Sequence, residues 1–106
     1  MYGLKILLLN NMEFVILPST RKNKKYMAVG KDYTVHFGDS RYEDYTTHKD
    51  PERQDRYVRR HAKTEMWDDP STAGFWSRWL LWEVPDIRKA VDNMNRIFNF
   101  KVKFGR

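Results

Sequence analysis

The search for chemistry in this chain comes down to charged and aromatic side chains, because its 106 residues include no cysteine. Disulfides, zinc-thiolate sites and thiol nucleophiles are thereby excluded. The three histidines, His36, His48 and His61, are 12 and 13 residues apart. None has a second ligand at i+3 or i+4, so they form no metal motif. Asp39, Glu43, Asp44 and His48 place acids and an imidazole in one stretch that a metal-dependent nuclease could recruit, yet without a recognisable nuclease spacing. There is no glycine-rich phosphate loop and no nucleophile elbow. The expectation is therefore a protein that binds rather than an enzyme, with no catalytic residue, metal ligand or cofactor.

Two groups of cations are candidates for that binding. Arg53, Arg56, Arg59, Arg60 and Lys63 fall on one arc of about 120° if residues 51–63 are helical. Glu52 shares the arc, while Tyr57, Val58, His61 and Ala62 face the other way. Such a face suits phosphates. It is also what a solvated surface looks like, steadied by the i,i+4 pairs Glu52/Arg56 and Asp55/Arg59. Arg21, Lys22, Lys24 and Lys25 form the second group, four cations in five residues, which could grip a phosphate backbone or an acidic neighbour, or simply be an exposed turn.

A third group is apolar. In residues 72–83, Phe75, Trp79 and Trp82 lie on one side, Trp76 and Leu80 towards another, and Leu81 near the opposite face. A helix apolar nearly all round is either buried or shared with a partner, and tryptophan is a frequent interface anchor. Trp76, Trp79, Leu81 and Trp82, with Phe100 and Phe104 near the end of the chain, are thus candidates for a protein interface as well as for the core.

The elements that must carry these residues are short. Leu4–Leu9 and Glu13–Leu17 read as two strands turning at Asn10-Asn11. Lys25–Val29 and Tyr33–Phe37 read as a second hairpin, with Val35 and Phe37 alternating against Thr34 and His36. Residues 38–49 have no period and read as a tyrosine-rich loop. Asp50 as N-cap, Pro51 at the first helical position and Glu52 begin a helix that runs to about Lys63. Thr72–Glu83 is a second helix, stopped by Pro85. Asp86 caps a third, in which Ile87, Ala90, Val91, Met94, Ile97 and Phe98 make one apolar stripe. Phe100, Val102 and Phe104 alternate with Lys101 and Lys103 in a closing, edge-like strand. The expected class is α+β: a small antiparallel sheet from N-terminal hairpins plus a C-terminal strand, packed against three short helices, in a single domain over residues 1–106.

Composition agrees with a packed core, since aromatics make up 15% of the chain and include four Trp and six Phe. The formal charge of +6 is unevenly spread. Residues 1–30 carry five basic and one acidic side chain, residues 31–69 eight and ten, and residues 70–106 seven and three. That balance suits nucleic acid, an anionic lipid surface or an acidic protein face. The apolar run Ile6–Leu9 is far shorter than the ~20 residues of a membrane span, so none is expected, and no signal-peptide pattern is present.

Residues 36–45 (HFGDSRYEDY), His48-Lys49-Asp50, Arg56-Tyr57 with Arg60-His61, and Asp69-Pro70 followed by Thr72–Trp82 (TAGFWSRWLLW) together resemble a family of small proteins of large DNA viruses of algae and protists and of some phages. The likeness runs from about Lys24 to Phe98. The family brings no catalytic residues; it implies a viral setting. The expectation it supports is a minor capsid protein of the virion, assembled in the host cytoplasm or nucleus, that cements or bridges larger coat subunits. The alternative is a basic, genome-associated protein that binds nucleic acid.

Overall fold

A computed structural model describes residues 11–105. Strands β1 (Glu13–Pro18), β2 (Lys24–Gly30) and β3 (Thr34–Asp39) come first. Helices α1 (Tyr45–His48) and α2 (Pro51–His61) follow, then α3 (Ala73–Trp76), which continues as one π-helical turn over Ser77–Leu81. Helix α4 (Ile87–Phe98) and strand β4 (Lys101–Phe104) close the chain. The class is α+β, as expected, with one four-stranded sheet in the order β3-β2-β1-β4.

β1, β2 and β3 form an antiparallel meander, whereas β4 lies parallel to β1. A parallel neighbour needs a long crossover, and everything between β1 and β4 supplies it. The strand expected at Leu4–Leu9, with Asn10 of its turn, lies outside the described residues. β1 is paired on one side by β2 and on the other by β4.

β4 enters the sheet because α4 stops at Asn99, whose left-handed backbone (φ 55°) turns the chain back. Lys101 N–H then donates to Met12 C=O at 2.8 Å and Gly105 N–H to Ile16 C=O at 3.0 Å. The opposite edge of β4 is closed by a side chain. The Asn95 amide donates to Val102 C=O at 3.0 Å and accepts from Val102 N–H at 2.8 Å, replacing a strand partner at that residue. The expected edge strand is thus protected by Asn95 as well as by its lysines.

Alternation puts Phe14, Ile16, Ala28, Val35, Phe37 and Val102 on one face of the sheet, all buried. Against them pack Phe75, Trp76, Trp79, Leu80 and Leu81, then Ala90, Val91, Met94 and Phe98 of α4. Phe14 meets Trp76 edge-on, with ring centroids 4.7 Å apart. Buried indole N–H groups need acceptors, and the 64–72 loop provides them: Trp76 donates to Pro70 C=O and Trp79 to Trp67 C=O, each at 2.7 Å. The helix expected over 72–83 is therefore present but re-phased. Trp82 N–H reaches back to Ser77 C=O at 3.1 Å. This wider turn brings both Leu80 and Leu81 into the core, where a plain α-helix would turn Leu81 away.

No helix among the described residues is long and apolar enough to cross a membrane.

Candidate functional site

The described structure gathers cations and one open aromatic ring where the 38–44 loop faces α2. The loop is held at both ends. At its start Asp39 closes a turn, its C=O accepting from Tyr42 N–H at 3.2 Å. Its carboxylate accepts from Arg41 N–H and Arg41 Nε through Oδ1 (3.0 and 2.9 Å) and from Arg41 Nη2 through Oδ2 (2.8 Å). The bonds from Arg41, more than the bare charge, hold the Asp39 carboxyl down to about 2. At its far end Asp44 is buried and paired with Lys25 of β2. Asp44 also caps α1, accepting from Thr46 N–H at 2.8 Å while Thr47 Oγ1 accepts from Asp44 N–H at 2.9 Å. A reciprocal cap and an ion pair on one residue fix the loop to the sheet.

α2 follows with little freedom. Lys49 takes a left-handed conformation (φ 57°) between the two helices. His48 Nδ1 accepts from Asp50 N–H, and the Asp50 carboxylate accepts from Glu52 N–H, each at 2.9 Å. The inner face of α2 docks on Trp82. Tyr57 stacks on that indole at 4.2 Å with rings 2° from parallel, and Gln54 Nε2 donates to Trp82 C=O at 3.0 Å. Burial, with Glu65 adding to it, pushes the Tyr57 phenol well above its ordinary value. His61 faces inward as expected and stacks on Tyr57 at 4.1 Å. Ala62, expected on that same face, is exposed instead, because the helix ends at His61 and Ala62 caps it.

The outer face of α2 carries the cations foreseen there, and they divide. Arg53 reaches Glu43 at 3.1 Å and Arg59 reaches Asp55 at 2.5 Å, both solvent-exposed pairs. Pairs of this kind are worth ~0–1 kcal/mol and leave the guanidinium groups available. Arg56, Arg60 and Lys63 have no ion-pair partner among the described residues. Arg53, Arg56 and Arg60 line a cleft of about 340 Å³ together with Tyr42, Glu43 and Trp82. Arg60, Tyr42 and Trp82 also line an adjoining cleft of mixed charge, together with Lys24 and Lys25 of β2 and the acids Asp39, Glu43, Asp44 and Glu65.

The basic hairpin run is thus split. Arg21 and Lys22 are exposed on the β1–β2 turn and line neither of these clefts. Lys24 joins the cleft wall, and Lys25 is taken by Asp44. Of the two places open to the interface candidates, most take the core. Trp76, Trp79, Leu81 and Phe100 are core residues. Trp82 is half-buried as the floor between α2 and the cleft. Phe104 is half-buried beneath the Arg88 guanidinium, 5.4 Å from its ring centre. Burying large rings is worth more to a chain this small than showing them to a partner. None of these six is an open anchor.

Tyr42 is the residue that sequence reasoning passed over. It is 69% exposed, and Met66 is the other large apolar side chain left open among the described residues. The sequence signal was available: an aromatic between Arg41 and Glu43 in a segment without periodicity. Of the acids that might have served a nuclease, Asp39, Glu43 and Asp44 are engaged with Arg41, Arg53 and Lys25 respectively. No group of three His, Asp or Glu among the described residues is placed to hold a metal ion.

The model of a family of unknown function (DUF5754) matches residues 14–61, the stretch from β1 to the end of α2. It takes in Tyr42, Arg53, Arg56 and Arg60 and stops short of the tryptophan-rich helix. No curated protein and no solved structure matches the chain.

Proposed function

We propose that this protein is a non-catalytic nucleic-acid-binding protein that works in the viral setting implied by its resemblance, against the packaged genome. The observation that carries the reading is the pair Arg56 and Arg60, without ion-pair partners among the described residues, beside the open ring of Tyr42. Cations kept free of acids suit phosphates, which bind by displacing counterions from the nucleic-acid backbone. Acids also approach this face, but Asp39, Asp44 and Glu43 are engaged with Arg41, Lys25 and Arg53, while Glu65 lines the adjoining cleft beside Arg60.

Cementing coat subunits is the other role the resemblance implies. It would need an apolar patch larger than a monomer usually shows, whereas the tryptophans and Phe100 proposed as anchors are folded into the core or its margin. Fractionation of particles separates the two. Quantitative mass spectrometry of genome-filled particles against emptied shells is expected to show the protein leaving with the genome. Retention by the shell in fixed ratio to the coat protein would overturn the reading in favour of cementing. Absence from both would remove the viral setting.

A further inference from the structure

We propose that the cleft between Tyr42 and α2 takes single-stranded nucleic acid in preference to duplex, with a base stacked on the Tyr42 ring and the adjoining phosphates on Arg56 and Arg60. This rests on the nucleic-acid reading above and narrows it to a substrate class.

The argument begins with what holds Tyr42. An exposed aromatic on a mobile loop would be a poor platform, since ordering it would cost side-chain and backbone entropy on binding. Tyr42 instead stands on a closed turn. Its own N–H is bonded to Asp39 C=O, its neighbour Arg41 is forked onto the Asp39 carboxylate, and two residues on Asp44 is tied to β2. The Arg41 guanidinium lies 6.0 Å from the Tyr42 ring centre, so a cation flanks the ring as well. A rigid, water-facing ring with cations beside it is the combination that single-strand binders use, because every base offers a π-face and the strand between bases offers phosphates. A base paired inside a duplex is already stacked and cannot present that face.

The shape of the cleft agrees. Its volume of about 340 Å³ lies at the small end of the roughly 300–1,000 Å³ range of ligand pockets, the scale of one nucleotide unit. Trp82 forms part of the lining but is already stacked on Tyr57, so it is a wall and Tyr42 is the free platform. The adjoining cleft past Arg60 mixes Lys24 and Lys25 with Asp39, Glu43, Asp44 and Glu65, so the phosphate contacts are confined to the arginines of α2.

The test is fluorescence anisotropy with a labelled oligothymidylate and with a duplex of the same length, at low salt, on the full chain. Wild type is expected to bind the single strand roughly tenfold more tightly than the duplex. Tyr42→Ala is expected to lose that margin, in line with the several-fold to hundredfold effect of removing one stacking ring. Tyr42→Phe should keep it, which distinguishes stacking from a role of the hydroxyl. Circular dichroism checks that each variant is folded. Equal affinity for both probes, or a Tyr42→Ala variant as selective as wild type, would overturn the stacking inference while leaving nucleic-acid binding intact. Failure to bind either probe at low salt would overturn both.

Discussion

Replacing Asp44 with alanine removes two things at once, and the structure separates their sizes. The carboxylate caps α1 through Thr46 N–H, and loss of such a cap costs ~1 kcal/mol. It also neutralises Lys25, whose side chain is 18% exposed against 4% for Asp44. Stranding one member of a fully buried pair costs ~3–5 kcal/mol. Lys25 has a flexible stem and some access to water, so ~1–2 kcal/mol is the appropriate share here. Asp44→Ala should therefore lose ~2–3 kcal/mol, a fall in Tm of ~10 °C for a chain of this size. Asp44→Asn keeps an acceptor for the cap and should lose only the charge share. Urea unfolding followed by tryptophan emission measures both, and a double-mutant cycle with Lys25→Met should return a coupling of ~1–2 kcal/mol. If Asp44→Asn stayed within ~0.5 kcal/mol of wild type, or the cycle with Lys25→Met returned no coupling, the ion pair would not be what fixes the loop, and the rigidity claimed for Tyr42 would lose its basis.

Other expectations follow from single contacts. Gly38→Ala should cost ~1–3 kcal/mol, because Gly38 has φ +78° and an added Cβ would lie 2.8 Å from Leu81 Cδ1. Gly74→Ala, where the three atoms nearest the added Cβ all belong to the movable carboxylate of Glu65, should stay within ~0.5 kcal/mol of wild type or gain slightly from helix propensity; chemical denaturation distinguishes the two. Asn95→Ala should lose ~1–3 kcal/mol by stripping Val102 of both bonds on its outer edge, and faster amide exchange at Val102 would report it. In an NMR pH titration Asp39 should titrate at about 2. Because its folded value is lowered, its contribution to stability is present above the ordinary carboxylate range and lost only as pH falls through that value. Tyr57 works in the opposite sense. Its folded value is raised from 10.0, so the stability it contributes is complete below 10.0 and lost as pH rises; Tyr57→Phe should weaken that alkaline loss.

Local chemistry was legible in the sequence and distant pairing was not. Asp50-Pro51 and Asp86 announced α2 and α4, because caps and fixed backbone angles act within one turn. Alternation gave the β2–β3 hairpin and β4 for the same reason. The parallel pairing of β4 with β1 depends on residues some ninety positions apart, and no local pattern encodes it. Lys25 and Asp44 are likewise brought together only by the sheet. Their union split a run of cations that looks continuous on paper. α1 was missed because four residues have no period, and its capping box closes with Thr47 where a Glu or Gln is the usual sign. The tryptophans were ambiguous by nature. The same rings serve a core or an interface, and the π turn that sends Leu81 inward has no sequence signature. Tyr42 was hidden in the opposite way, since an open ring between two charges resembles any surface loop until the free arginines are seen beside it.

The salt dependence of nucleic-acid affinity, compared between wild type and the double variant Arg56→Gln/Arg60→Gln, bears on the central claim most directly. Each phosphate contact contributes roughly 0.7–0.9 to the slope of log affinity against log salt. The double variant is expected to bind more weakly, with a slope shallower by roughly 1.4–1.8. An unchanged slope and affinity would contradict the account, because the two free arginines would then be ordinary solvated surface.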